Sequence, residues 1–137
     1  MSKLSFETAK IGDSLPDLQL PAITRLQLAL YCGGSGDHNP IHVDTDFARR
    51  AGMKDVFAHG MLSMGFMGRL ITSAVAQSRV TSFGVRFVAI TWVGDTITVK
   101  GRVARMDREE RRLTLDLTCV NQRGETTLTG QTVLSFI

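Results

Sequence analysis

The stretch GMLSMGFMGRLITSAVAQ, residues 60–77, decides the fold of this chain. Its apolar residues cover most of the circumference of a helix, and the polar residues Arg69, Ser73 and Gln77 recur at every fourth position as one narrow stripe. A helix that is apolar nearly all round is buried, so the sequence predicts a central helix over 60–77. Glycines weaken such a helix, and we expect another backbone to pass close to Gly60, Gly65 and Gly68.

Downstream of this helix the pattern changes to the alternation that is typical of β-strands. Leu113, Leu115 and Leu117 fall on one face, with polar residues between them, and Val, Ile and Thr are frequent throughout. We predict strands at 82–93, 96–105, 113–121 and 126–136, separated by turns at Gly94-Asp95, 106–112 and 122–124. The pattern indicates an antiparallel meander that wraps around the helix.

Upstream of the helix the signals are shorter. Prolines bracket a short edge strand within 15–21, and residues 52–58 are predicted as a loop. A helix is predicted over 25–32, with Thr24 as its N-cap and with Gly33 and Gly34 at its end. A second helix is predicted over 46–51, with Thr45 as its N-cap and Gly52 just past its end.

Composition restricts the class of protein. The length of 137 residues predicts one domain, 1–137, and a net charge of +3 is too mild to indicate nucleic-acid binding. No apolar run is long enough to span a membrane, and the start of the chain lacks the pattern of a secretory signal. Cys32 and Cys119 form no paired motif, so we expect reduced thiols in a cytoplasmic protein.

A candidate catalytic segment precedes the helix. Residues 35–42, Ser-Gly-Asp-His-Asn-Pro-Ile-His, place Asp37 and His42 five positions apart. Pro40 restricts its own backbone and that of Asn39, so a rigid turn presents the acid and the base. A positioned acid and base is what proton transfer requires, and a second histidine, His59, begins the apolar helix.

The sequence also fits other roles for these residues, structural or metal-binding. Most segments of this kind are only turns, and most single histidines pack or lie at the surface. A metal hydrolase that uses His38 with Asp37, His42 and His59 is conceivable, although the spacing matches no common zinc pattern, and we predict no metal.

Nearly the whole chain resembles the MaoC-like family of (R)-specific enoyl-thioester hydratases and (3R)-hydroxyacyl-thioester dehydratases. The residues that carry the resemblance are Tyr31 to His42, His59-Gly60-Met61-Leu62, Val85-Arg86-Phe87 and Val93-Gly94-Asp95. The resemblance implies an α+β hot-dog fold, an antiparallel sheet wrapped around a long central helix, in a dimer. One departure is Ile90-Thr91-Trp92, where many relatives have a proline.

The resemblance also implies the chemistry. Water adds across a trans-2-enoyl thioester to give a (3R)-hydroxyacyl thioester, or is removed in the reverse reaction of fatty-acid metabolism, with no cofactor. Asp37 and His42 would bind the reacting water, and the Gly60 N–H would donate a hydrogen bond to the thioester oxygen. Four further residues are candidates for substrate binding or for holding the site: Asn39, His59, Ser63 and Arg86.

The implied partners are an acyl-CoA or acyl-carrier-protein thioester and a second hot-dog subunit, in a homodimer or a heterodimer. We expect no nucleic-acid or membrane partner. The alternatives are a hot-dog acyl-CoA thioesterase, a subunit of a heterodimeric dehydratase and a non-catalytic acyl-binding subunit. Acyl-chain length, carrier, pathway and direction stay open at this point.

Overall fold

The computed structural model describes residues 4–137, in which helices come first and long strands last. The helices are α1 (Arg25–Ser35), α2 (Thr45–Arg50) and α3 (Gly60–Ala74), with 3-10 turns at Pro40–His42 and Gln77–Arg79. The strands are β1 (Leu18–Gln19), β2 (Val80–Phe87), β3 (Ile97–Asp107), β4 (Arg112–Asn121) and β5 (Thr126–Ser135).

The strands of the described residues form one antiparallel sheet in the order β1-β3-β4-β5-β2. β3, β4 and β5 are a meander, as predicted. β2 pairs with β5, with Phe83 opposite Thr132, so the prediction that it would join the meander next to β3 was wrong. β2 also ends at Phe87 rather than at residue 93, because the next two N–H groups both donate to the carbonyl of Thr127.

α3 packs one face against the sheet. Met67 and Ile71 lie in the core with Leu115 and Leu117, and all four side chains are buried. The helix ends at Ala74, three residues before the predicted end, where Val75 adopts an extended backbone. Its opposite face is open in the single chain, so the expectation of burial all round was wrong for residues such as Met61, which is 55% exposed.

The glycines of α3 have a different explanation from the one expected. A Cβ at Gly65 would meet nothing within 4 Å, and at Gly68 it would meet only the Phe83 side chain at 3.8 Å. At Gly60 it would lie 2.6 Å from Cε1 of Phe87. A side chain rather than a passing backbone therefore crowds the helix, and it does so only at Gly60.

A second, smaller core supports the segment before α3. Leu28 of α1, Ala48 of α2 and Leu62 of α3 pack together there. The Thr24 hydroxyl caps α1 by accepting from the Gln27 N–H at 3.1 Å, as predicted.

The ends of α1 and α2 differ from the prediction. α1 continues through Gly33 and Gly34 to Ser35 and ends at Gly36, whose φ of 77° suits a glycine. The N-cap of α2 is Asp44, one residue before the predicted Thr45, because its carboxylate accepts from the Phe47 N–H.

An antiparallel sheet packed on one long helix is the α+β hot-dog architecture that the resemblance implies, which confirms the predicted fold. None of the helices within residues 4–137 is long and apolar enough to cross a membrane. Cys32 and Cys119 are both buried and unpaired with each other.

Candidate active site

Three hydrogen bonds, each between residues two positions apart, hold the loop after α1. The Ser35 hydroxyl accepts from the Asp37 N–H at 3.1 Å, and Oδ1 of Asp37 accepts from the Asn39 N–H at 3.3 Å. The Asn39 side chain in turn accepts from the Ile41 N–H at 3.1 Å and caps the 3-10 turn that Pro40 begins. The loop is therefore the rigid turn that the sequence predicts, and the Asn39 carbonyl oxygen is engaged in holding it.

Asp37 and His42 face each other across this turn. Nδ1 of His42 lies 2.7 Å from the carbonyl oxygen of Phe57, which can only accept, so Nδ1 carries the proton. Nε2 of the neutral ring then has a free lone pair, and it lies 4.0 Å from Oδ2 of Asp37. That distance is too long for a direct hydrogen bond, but it lets one water oxygen bond both groups.

His59 lies behind His42, with the ring centroids 3.8 Å apart and the planes 26° from parallel. Its Nε2 lies 3.3 Å from the Asp37 carbonyl oxygen, so Nε2 donates, and the Cys32 sulfur is 3.4 Å away. Burial, followed by the neighbouring His42, lowers the pKa of His59 and keeps the ring neutral. His59 is 1% exposed and contacts both the loop and the His42 ring.

Asp37, His42 and His59 bring one ligand atom each within 4.8 Å of the others, which is the spacing of a possible metal site; His38 is not part of this group. The geometry does not suit one ion. Ring lone pairs lie in the ring plane, and two nearly parallel stacked rings do not direct theirs to a single point about 2 Å away. The absence of a metal stays a prediction.

Gly60 begins α3 beside this stack. The first N–H groups of a helix have no partner within it and point out of its end. A cleft of about 460 Å³ opens there, between the start of α3 and the segment after β2. Its walls are largely apolar: Phe57, Ala58, His59, Gly60, Met61, Ser63, Phe87, Val88, Ala89, Ile90, Thr91 and Leu128.

The structure brings most of the predicted residues together. His59, Gly60 and Ser63 line the cleft, and the Asp37–His42 pair adjoins them, since the His42 ring stacks on His59. Arg86 does not join them within one chain: it lines a shallow groove over β2 and β5, while its neighbour Phe87 lines the cleft.

Three contributors to the site were not predicted. The Phe57 carbonyl, which fixes the tautomer of His42, belongs to a segment read as a loop, and a backbone atom leaves no side-chain signal. Phe87 lies against Gly60 and was noted only as part of the family pattern. Thr91 lines the cleft, and its place in a segment that departs from the family could have indicated it.

The turn after Thr91 is fixed by a buried carboxylate. Asp95 is 3% exposed and accepts from the Trp92 N–H at 3.0 Å. Arg123 donates to both of its oxygens, and the Gln122 amide donates at 2.8 Å. These bonds anchor one wall of the cleft to the hairpin between β4 and β5.

Two known enoyl-CoA hydratases have sequences similar to that of this chain. The chain is 34% identical over 121 residues to the (R)-specific enoyl-CoA hydratase of Rhodospirillum rubrum, covering 83% of this chain and 79% of that protein. It is 36% identical over 87 residues to enoyl-CoA hydratase ChsH3 of Mycobacterium tuberculosis, which covers 61% of this chain but only 30% of the relative. The chain therefore spans less than a third of ChsH3.

A solved structure shares the fold. The ChsH1-ChsH2 complex of Mycobacterium tuberculosis superposes with a TM-score of 0.82 at 25% identity, over 93% of this chain and 98% of that chain. The family model described as the MaoC like domain matches residues 8–121, which include the Asp37–His42 loop, all of α3 and the Asp95 turn. The chain belongs to the MaoC-like domain family.

Proposed function

We propose that this chain catalyses the reversible addition of water to a trans-2-enoyl thioester of coenzyme A or acyl carrier protein, with a (3R)-hydroxyacyl thioester as the product. One observation carries the proposal. Nε2 of His42 and Oδ2 of Asp37 are 4.0 Å apart on a rigid loop, so that both can accept a hydrogen bond from the same water.

The two groups activate the water as it attacks C3. One water proton passes to the dyad, the hydroxyl group bonds to C3, and one proton is delivered to C2 from the dyad, so the protons balance. The Phe57 carbonyl accepts from Nδ1–H of His42 and so keeps the lone pair of the neutral ring on Nε2, ready to accept a proton. General acid–base catalysis of this kind contributes about 10²–10⁴-fold.

Gly60 provides the electrostatic part of the mechanism. As C3 is attacked, negative charge moves to the thioester oxygen, and an N–H at the start of α3 stabilises that charge. The positive end of the helix dipole adds to the effect. The cleft next to Gly60 accepts the acyl chain, since its lining is largely apolar.

A second subunit is a further part of the proposal. Phe87 and Val88, at the mouth of the cleft, are 53% and 54% exposed in the single chain. β2 is an edge strand of the sheet, so its outer backbone groups are free to pair with another chain. The solved relative described as a complex of ChsH1 with ChsH2 supports pairing with a second, different subunit, and a homodimer is the alternative.

The test is a spectroscopic assay with purified protein. Loss of the absorbance of the conjugated enoyl thioester is followed for trans-2-enoyl-CoA substrates of short and long chain, and the product is analysed on a chiral column. We expect the (3R) isomer. Release of free thiol without a hydroxyacyl product would instead identify a thioesterase, and a (3S) product would contradict the proposed stereochemistry of water addition.

A further inference from the structure

The His59 side chain makes its contacts with the candidate catalytic loop rather than with the helix that it precedes. His59 occupies the N-cap position of α3, where a polar side chain often accepts a hydrogen bond from the first turn, but its ring makes no such bond. The ring is buried and bonds the loop after α1 instead. An imidazole is costlier to bury than an apolar ring of similar size, so the contacts of His59 must offset that cost.

One edge of the ring holds the backbone of Asp37. Nε2 of His59 lies 3.3 Å from the Asp37 carbonyl oxygen, and the Cys32 sulfur lies 3.4 Å from the same nitrogen. A carbonyl oxygen can only accept, so Nε2–H donates, which fixes the tautomer of the neutral ring. The bond ties the residue that carries the carboxylate to the start of α3, 22 positions further along the chain.

One face of the same ring contacts His42. The two ring centroids are 3.8 Å apart and the planes 26° from parallel, so the His42 ring rests on the face of His59. The rings of Tyr31 and His59 pack edge to face, with the centroids 4.7 Å apart, and this contact holds His59 itself. The stack restricts rotation of the His42 ring, which its bond to the Phe57 carbonyl alone would not prevent, and so restricts where Nε2 lies.

The charge of His59 suits such a role. Burial, followed by the neighbouring His42, lowers the pKa of His59, so the ring is neutral. While Nε2 of His42 carries a proton of the dyad, its positive charge therefore lies next to a neutral ring. A second imidazolium at the same distance would repel it and oppose the proton transfer.

We propose that His59 is a positioning residue that holds both members of the dyad, Asp37 through its backbone carbonyl and His42 through ring stacking. This inference rests on the proposed hydratase function of the same site. It assigns to His59 a role in the geometry of the dyad in place of contact with the substrate. One side chain then sets the 4.0 Å separation between Nε2 of His42 and Oδ2 of Asp37 from both sides.

The test compares His59→Ala, His59→Gln and His59→Phe with the wild type on one trans-2-enoyl-CoA substrate. His59→Ala loses both contacts, and we expect kcat to fall about 10²-fold, since displacement of a catalytic group by about 1 Å has an effect of this size. KM should change much less, because no contact with the substrate is removed. His59→Gln keeps an N–H donor for the Asp37 carbonyl and His59→Phe keeps a ring to stack, so each should regain part of the lost kcat.

The double variant Asp37→Asn, His42→Ala separates positioning from a direct role. Without the dyad there is nothing for His59 to position, so adding His59→Ala should lower the residual turnover by less than about twofold. A direct role in binding or catalysis would persist in this background, and a loss there as large as in the wild type would overturn the inference. Where His59→Ala does not fold, His59→Gln and His59→Phe are compared in the same two backgrounds.

Thr132→Val is the matched control for loss of a buried donor. The Thr132 side chain is also buried and donates to a backbone carbonyl, that of Ser82, at 2.8 Å, but it does not line the cleft. The variant should lower stability in urea and keep the wild-type kcat of the folded protein. Wild-type kcat in the His59 variants would overturn this inference alone and leave the hydratase function standing. An inactive wild type would overturn the proposed function and this inference with it.

Discussion

The Nε2 atom of His42 lies 4.0 Å from Oδ2 of Asp37, and the opposite ring nitrogen donates to the Phe57 carbonyl at 2.7 Å. The first distance makes the two residues partners through a water rather than through a direct bond. The second fixes which nitrogen faces that water. The catalytic proposal depends on both contacts.

Asp37→Asn and His42→Ala should each lower kcat by about 10²–10⁴-fold while leaving a folded protein. The double variant should be little worse than either single one, because both groups act on the same water. His38→Ala is the control, since His38 is exposed on the same loop and does not join the group. Steady-state kinetics with circular dichroism checks this, and near-wild-type turnover in either variant would end the assignment of the dyad.

Gly60→Val should lower kcat more than it raises KM, because it blocks a contact that strengthens in the transition state. Loss of one such donor typically costs about 10²–10³-fold in kcat. The new side chain would also strike Phe87, since even a Cβ at this position lies 2.6 Å from its ring.

A second pair of variants separates the two effects at Gly60. If the ring clash alone caused the loss, Gly60→Ala combined with Phe87→Ala would restore turnover to the level of Phe87→Ala. We expect it not to be restored. Gly65→Ala is the control: its Cβ meets nothing within 4 Å, and it should stabilise α3 by about 0.5–1 kcal/mol in denaturant unfolding without loss of activity.

The sequence predicted the loop that carries the candidate residues better than the surroundings of that loop. Asp37 and His42 stand out by residue type and by a proline-stiffened turn, which are local features, whereas the role of Gly60 was implied by the family resemblance and stays a prediction. The bond from His42 to the Phe57 carbonyl depends on residues fifteen positions apart, and the position of Phe57 depends on its bridge to Trp92. Local periodicity contains no information on such pairings.

Local sequence patterns also contain no information on tertiary contacts, and this explains the errors in the predicted fold. Alternation located the long strands closely except for the end of β2, which was predicted well beyond Phe87, and the choice of β5 rather than β3 as the neighbour of β2 is a tertiary preference. Gly33 and Gly34 were predicted to end α1, yet the packing of Leu28 and Cys32 on the same helix outweighs the low helix propensity of two glycines. The helix ends only where Gly36 takes a positive φ.

Arg123→Met should destabilise the protein at about pH 6, because it leaves the buried Asp95 carboxylate without its main partner. Burial alone would raise the pKa of Asp95, but the hydrogen bonds from Arg123 and Gln122 outweigh it and hold the pKa below the usual value. We expect a loss of about 1–3 kcal/mol in the free energy of unfolding, measured by urea denaturation.

The stabilisation that the Arg123–Asp95 ion pair gives the folded protein should depend on pH. Since the folded-state pKa of Asp95 is depressed, the stabilisation is present above the unfolded value of about 4 and is lost as the pH falls below it. The difference between wild type and Arg123→Met should therefore shrink toward pH 3. Arg112→Met is the control: its partner Glu110 is half exposed, so its loss should cost no more than about 0.5 kcal/mol. Equal losses in the two variants would contradict the role of burial at Asp95.

The chain should be a dimer at low micromolar concentration, either with itself or with a similar subunit. α3 leaves one face uncovered, β2 is a free sheet edge, and Met61, Phe87 and Val88 expose apolar surface at the mouth of the cleft.

Val88→Glu places a charge in this surface and should shift the protein toward the monomer, with loss of activity. Ile11→Glu changes an equally exposed residue that does not line the cleft and should have no such effect. Light scattering with parallel activity measurements tests this: a fully active wild-type monomer of 15.0 kDa would show that one chain completes the site alone.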